Sequence, residues 1–364
     1  LTLKTNCVIF VAMSNDENYI KGRGAQINPA NPYHKVIYDK NPFPDADDER
    51  KIATQFINVQ AKTIINKVKS PDIPGAYSMN PYQGCEHGCV YCYARNTHPY
   101  WGYSAGLDFE QKILIKHDAP KLLRKRLQSK NWVVSPIMFS GNTDCYQPAE
   151  KKFELTRKML EILWEFRHPV SMITKNSLIL RDLDIFKKMA AHDLVHVSIT
   201  LTTLNEDLRS RLEPRTATAA QRLKTIETLA AEGIPVNVMM APIIPGLNDH
   251  EILKMAETVS QLGADSIAHT VVRLDGDIAE IFTDWLERNF PDRKDKVLNK
   301  IRSCHAGELG DNRYGKRMSG DGQIAAMISA QMKLARQRFF QNKKLPPYNL
   351  DLYEQRRNPQ MKLF

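Results

Sequence analysis

No part of this 364-residue chain is a hydrophobic run long enough to cross a bilayer. The longest apolar stretch near the start, Cys7 to Met13, falls far short of the ~20 residues a spanning helix needs. Lys4 precedes that stretch, but no small-residue cleavage site appears before the acidic Asp16 and Glu17, so a secretory signal peptide is not expected. Glycine (17) and proline (20) are too few for a collagen-like or proline-rich chain, and six cysteines are too few for a disulfide scaffold. With 42% apolar and 25% charged residues the chain can bury a core, which excludes wholesale disorder. Self-similarity at a solenoid period is also missing. Without an export signal, Cys7, Cys85, Cys89, Cys92, Cys145 and Cys304 are expected as reduced thiols in a cytoplasmic protein.

What the chain does have is an uneven surplus of positive charge. Its net charge is +10, and residues 291–364 hold 16 Lys and Arg against 7 Asp and Glu. Such an end suits a polyanion, through phosphate contacts and counterion release, or is simply a solvated helical tail.

Four segments are expected. Residues 1–12 read as an over-extended start or a leader, because Met13 opens a polar segment. Residues 13–75 form an N-terminal arm with turns at Gly22-Arg23-Gly24, Asn28-Pro29, Asn31-Pro32 and Asn41-Pro42-Phe43-Pro44. Residues 76–290 form the core, and 291–364 a basic extension. In the core, short apolar runs predict strands at 76–80, 137–140, 170–174, 194–201, 235–241 and 265–272. Between them, helical patterns occupy 119–127, 149–166, 180–191, 217–232, 250–262 and 278–289, with Gly233 and Gly263 placed as C-terminal caps. Six βα alternations imply an α/β fold with a parallel sheet, open or curved into a full or partial barrel, and with reactive residues beyond the carboxyl ends of the strands. The extension is expected as a helix, a Gly-rich turn region at 307–322, a basic helix from Gln323 and an irregular end around Pro346-Pro347.

The strongest chemical signal is Cys85-Glu86-His87-Gly88-Cys89-Val90-Tyr91-Cys92, a C-x3-C-x2-C run after the first predicted strand. Scattering six cysteines at random gives this spacing on the order of once in a thousand chains. Structural zinc would need a fourth ligand such as His87, His98 or a distant residue, and electron-transfer clusters want a fourth cysteine that this run lacks. Three thiolates on a four-iron cluster would leave one iron open for a substrate or cofactor.

At these residues the chain resembles the radical S-adenosylmethionine superfamily, whose signature is C-x3-C-x-aromatic-C; Tyr91 supplies the aromatic. The resemblance implies a partial (β/α)6 TIM-like barrel, a [4Fe-4S] cluster on Cys85, Cys89 and Cys92, and S-adenosylmethionine chelated to the fourth iron. It further implies an external one-electron donor and reductive cleavage to a 5′-deoxyadenosyl radical that abstracts hydrogen. A bound zwitterion wants acceptors for its ammonium and a cation for its carboxylate. Gly141, Asn142, Thr143 and Asp144 after the second strand, and Lys175 after the third, are the candidates. Ser198 or Thr200 could meet the ribose, and Ile243 within Pro242-Leu247 could meet adenine.

Within the superfamily the segment from about Ala76 to Asp275 is most similar to the spore photoproduct lyase branch, through Thr143-Asp144, Thr174-Lys175 and the Arg-rich helix ahead of Pro235. Gly22-Arg23-Gly24-Ala25 and Tyr314-Gly315-Lys316-Arg317-Met318 resemble its uncharacterised members. Where the lyase pattern places a hydrogen-donating cysteine, this chain has Phe139 and Ser140, and Cys145 is the nearest thiol. The expected activity is therefore radical hydrogen abstraction, on a nucleic acid in a lyase-like reaction or on a small molecule or protein. The rival of another class is a non-catalytic, metal-stabilised nucleic-acid-binding module. Plainer roles are open for several residues: Asp144 as a helix cap, Glu213 with Arg215 as a local ion pair, Cys304-His305 as helix-end residues.

Overall fold

The computed structural model describes residues 19–33, 53–73, 75 and 77–357. The proposed leader with Cys7, and the turn at Asn41-Pro44, lie outside the described residues.

Among the described residues ten strands form two sheets. In chain order they are β1 (Gln55–Asn58), β2 (Ile65–Lys67), β3 (Tyr77–Met79), β4 (Tyr82–Gln83), β5 (Lys112–Ile115), β6 (Ile137–Phe139), β7 (Val170–Thr174), β8 (Val195–Thr200), β9 (Val236–Ile243) and β10 (Ser266–Val271). The larger sheet has the order β10-β9-β8-β7-β6-β3-β2. Its pairings from β3 through β10 are parallel, and β2 closes the edge antiparallel to β3. The six parallel strands and their crossover helices make the expected partial barrel.

Alternation along the strands explains the layering. Val170, Met172, Val195, Val197, Ile199, Val236, Val238 and Met240 are fully buried in one cluster with Met159, Leu163, Phe186, Ile226, Leu229 and Met255 of the helices. Each such side chain contributes roughly 1.5–3 kcal/mol by leaving water. Residues between them, including Ser171, Ile173, Ser198, Asn237 and Ser266, point to the opposite face and stay partly exposed. That face mixes polar side chains with apolar ones such as Ile173 and Met239.

The arm is part of both sheets. β2 extends the barrel sheet, and β1 pairs in parallel with β5, which in turn pairs with β4 in a small second sheet. Two expectations for the helices need correction. The stretch 149–166 is broken at Glu154, whose φ of 51° separates Glu150–Phe153 from Leu155–Glu165. The segment beyond Pro347 carries a helix, Asp351–Arg357, whose Tyr353 is buried and donates to Leu127 O at 2.6 Å. Before it, Tyr348 stacks on His196 (4.0 Å between ring centroids) and Asn349 N donates to Asp193 O, so this segment covers the amino-terminal end of the sheet. Among the described residues no helix is long and apolar enough to cross a membrane.

Candidate active site

The cysteines sit on the loop between β4 and the 3-10 turn Tyr93–Thr97, at the carboxyl end of the parallel sheet. Cys85 N donates to Phe109 O (2.9 Å) and Val90 N to Leu212 O (3.1 Å), which pins the loop at two points. Gln147 clasps it from below, accepting from Glu86 N and donating to Gly84 O. Cys85, Cys89 and Cys92 border one cavity, shared with Asn142, Thr143, Asp144, Lys175 and Thr200. All three are free thiols, and burial pushes Cys85 and Cys89 well above the usual thiol range, so the loop by itself disfavours bare thiolates. A metal centre supplies the positive charge that such a buried sulfur set lacks. Among the described residues no group of three or more His, Cys, Asp or Glu is placed to hold a single metal ion; the thiols share a cavity wall instead.

Behind the sulfurs lies a buried frame that spacing did not reveal. Arg95 is fully buried, and its Nε donates to Cys89 O at 2.9 Å. Its other nitrogens reach Ala105 O, Gly106 O and the carboxylate of Glu110, itself fully buried. Glu110 then receives the arm: Gly24 N donates to Oε2 (3.0 Å), Ala25 N to Oε1 (2.8 Å), and Arg23 Nη1 reaches the Glu110 backbone oxygen (2.7 Å). A Cβ on Gly24 would lie 1.7 Å from the oxygen of Gly88, so only glycine lets the arm press against the cysteine loop. The Gly22-Arg23-Gly24-Ala25 motif is thus a clamp on that loop.

Tyr91 is buried, and its hydroxyl donates to Glu213 and lies 3.3 Å from Thr202 Oγ1. Glu213 pairs with the fully buried Arg222, not with Arg215, which reaches Glu86 at 3.3 Å instead. Burial alone would raise the Glu213 carboxyl; Arg222 and Lys175 hold it at about 2. Arg222 also donates to Ala217 O and Thr200 O, so the motif aromatic is tied to the end of β8.

Asp144 is no helix cap. Its Oδ1 accepts from Thr174 Oγ1 (2.8 Å) and Tyr146 N (2.9 Å), and its Oδ2 from Lys175 N (2.8 Å), with His87 Nδ1 at 3.3 Å. Burial would push this carboxyl up, but His87 and the two backbone donors bring it to about 2. Asn176 Oδ1 accepts from Leu178 N, which turns Asn176 Nδ2 towards His87 Nε2 (3.2 Å). That nitrogen must accept, so Nδ1 carries the proton given to Asp144. Four donors fill the carboxylate, leaving no lone pair for an incoming ammonium.

Other candidates separate the same way. Asn142 donates to Gln83 Oε1 (3.0 Å) and keeps its Oδ1 unpaired, while Thr143 donates to Tyr82 O (2.7 Å). The Lys175 ammonium has no ion-pair partner among the described residues and lies 5.9 Å from the Tyr91 ring centroid. Gly141 stands beside the cavity, its oxygen accepting from Tyr93 at 2.5 Å. Ser198 Oγ is taken by Asn237 on the concave face, Ile243 is buried in the main core, and Cys145 is fully buried there too, with Thr156 on its carbonyl. Cys304 packs in the core and His305 binds Asp311 and Val272 O, so the two form no ligand pair.

The family model described as Radical SAM superfamily matches residues 79–259. An uncharacterized protein of Mycobacterium tuberculosis is 31% identical over 240 residues, 65% of this chain and 71% of that protein. One of Methanocaldococcus jannaschii is 31% identical over 248 residues, 68% of this chain and 88% of its own. Among solved structures, spore photoproduct lyase superposes with a TM-score of 0.57 at 15% identity, covering 78% of this chain and 79% of the lyase. A variant of that lyase has been solved with bound AdoMet and a dinucleoside spore photoproduct.

Proposed function

This chain belongs to the radical SAM superfamily, and from that premise we propose which of its residues serve the chemistry and what it acts on. The enzyme uses a [4Fe-4S] cluster and S-adenosylmethionine. When bound, the cluster supplies the electron that cleaves S-adenosylmethionine to methionine and a hydrogen-abstracting 5′-deoxyadenosyl radical. Cys85, Cys89 and Cys92 hold it through three sulfurs, soft donors suited to iron–sulfur ligation. Lys175 pairs with the carboxylate of the cofactor, because it is a cavity cation whose ammonium makes no direct ion pair or hydrogen bond among the described residues and feels Glu213 only at longer range. The ammonium is received by Asn142 Oδ1 and the Thr143 hydroxyl oxygen. Asp144 orients Lys175 and His87 and makes no contact of its own. Tyr91 acts through Glu213 by fixing the loop.

The substrate is a nucleic acid, in keeping with the +9 balance of residues 291–364, and the working compartment is the reducing cytoplasm, where an external donor delivers one electron at a time. A lyase reaction completed by a thiol in the cavity is not supported, since Cys145 packs in the core. The observation that carries this reading is one cavity lined by three thiols together with an ammonium and an amide oxygen that have no direct partner among the described residues. Anaerobic reconstitution with iron, sulfide, S-adenosylmethionine and dithionite tests it. Release of 5′-deoxyadenosine is expected, enhanced by a polynucleotide. A colourless zinc protein, or a reconstituted one that leaves S-adenosylmethionine intact, would overturn it.

A further inference from the structure

Among the described residues six aromatic side chains stand at least two-fifths exposed: Tyr19, Tyr33, Tyr93, Tyr100, Trp101 and Tyr314. They belong to the arm, the segment following the cysteines and the turn region after residue 307. The exposed aliphatic residues lie elsewhere. Val133 precedes β6 at its amino end, Met327 and Leu334 are on helix Gly322–Phe339, and Leu350 follows the residue bound to Asp193. The apolar surface on the active side is therefore flat and aromatic.

Its geometry runs outward from the cavity. Tyr93 lines the cavity, and Thr97, one turn on, lies 3.4 Å from Asn142 on the opposite wall. Tyr100 and Trp101 share the next 3-10 turn, Pro99–Trp101. Tyr33 of the arm packs against Tyr100 with ring centroids 4.9 Å apart at 30°. Asn31 holds that pair in place by donating to Pro99 O (3.1 Å) and Tyr103 O (3.3 Å). One cation accompanies these rings: the Arg317 guanidinium, paired with Asp72, lies 4.7 Å from the Tyr314 ring centroid.

We propose that Tyr33, Tyr100 and Trp101 form a stacking platform for unpaired bases of a single-stranded nucleic acid, a polyanion that the net positive charge of the chain favours. This rests on the nucleic-acid reading above and narrows it from any polynucleotide to single strands. Rings with exposed faces suit other π faces, and in a duplex those faces are hidden. A net charge of +10 favours a polyanion over a neutral protein groove.

The test is fluorescence anisotropy of a labelled mixed-sequence oligonucleotide, single-stranded and as duplex, against anaerobically reconstituted enzyme at several salt concentrations. The single strand should bind more tightly, and Tyr100→Leu or Trp101→Leu should weaken it about tenfold each, with iron and sulfide content kept. Tyr100→Phe should bind like the parent. Undiminished single-strand binding in both leucine variants would overturn the platform, as would equal affinity for duplex. If the parent binds neither form even at low salt, the nucleic-acid reading fails as a whole; loss of the platform alone leaves that reading standing.

Discussion

The two walls of the cavity are built on opposite principles. Behind the sulfurs Arg95 is shared among Cys89 O, Ala105 O, Gly106 O and Glu110, and Glu110 accepts from Arg95, Gly24 and Ala25, while Glu86 Oε2 on the same loop has no partner among the described residues. Elsewhere in the cavity lining, among the described residues, the Lys175 ammonium makes no direct ion pair and Asn142 Oδ1 accepts no hydrogen bond. A buried ion pair gives little net stability, yet removing one partner leaves the other charged and dry. The sulfur wall thus resists displacement, and the polar wall keeps its capacity for a ligand that comes and goes.

The largest effect is expected from removing a sulfur. Cys89→Ala should lose the cluster, read as loss of iron, sulfide and brown colour, with no 5′-deoxyadenosine formed; release at the parental rate would break the assignment of that wall. Glu110→Gln should cost about 3–5 kcal/mol in thermal or denaturant unfolding, since it strands the buried Arg95. Gly24→Ala tests the clamp more locally. Its Cβ cannot sit 1.7 Å from Gly88 O, so the arm must lift, exposing 20–28 to limited proteolysis and speeding alkylation of Cys89 in the metal-free protein.

On the polar wall, Lys175→Met should weaken S-adenosylmethionine binding roughly 10- to 100-fold, the worth of a charged hydrogen bond, while iron content stays at the parental level. Titration of the reconstituted protein reads this out, and unchanged affinity would dissolve the contrast between the walls. A further effect, spread over the pH range and furthest from the cavity, concerns His168. Trp132 Nε1 donates to His168 Nε2, which therefore accepts, while His168 Nδ1 donates to Pro169 O. Burial lowers this imidazole from 6.5 to about 4. The unfolded chain takes up its proton first, so stability present above pH 6.5 declines as pH falls towards 4, by about 3 kcal/mol at most. His168→Gln should flatten that slope in pH-dependent denaturation.

Much of the barrel was legible in hydrophobic periodicity. Strand 170–174 and helices 119–127 and 278–289 appear with their expected bounds, because alternation and helical spacing are local properties. β1, β2, β4 and β5 were missed because two to four residues carry no readable period and Gln55 finds its partner at Lys112. The cysteine tripod was visible through its spacing. The frame behind it was not: Glu213 chose Arg222 over the nearer Arg215, and Glu110 met Gly24 across a separation of 86 residues. A run of Arg and Glu on helices reads as solvated surface until packing shows which members are dry.

Sequence by itself determined the βα alternation, the three-sulfur motif and the charge asymmetry, since each is a pattern along the chain. Only the tertiary structure decided that Asp144 is saturated while Lys175 is free, and that the arm bears on the cysteine loop. Burial and pairing of charges depend on neighbours distant in sequence, and desolvation settles which of several carboxylates and cations are already spent.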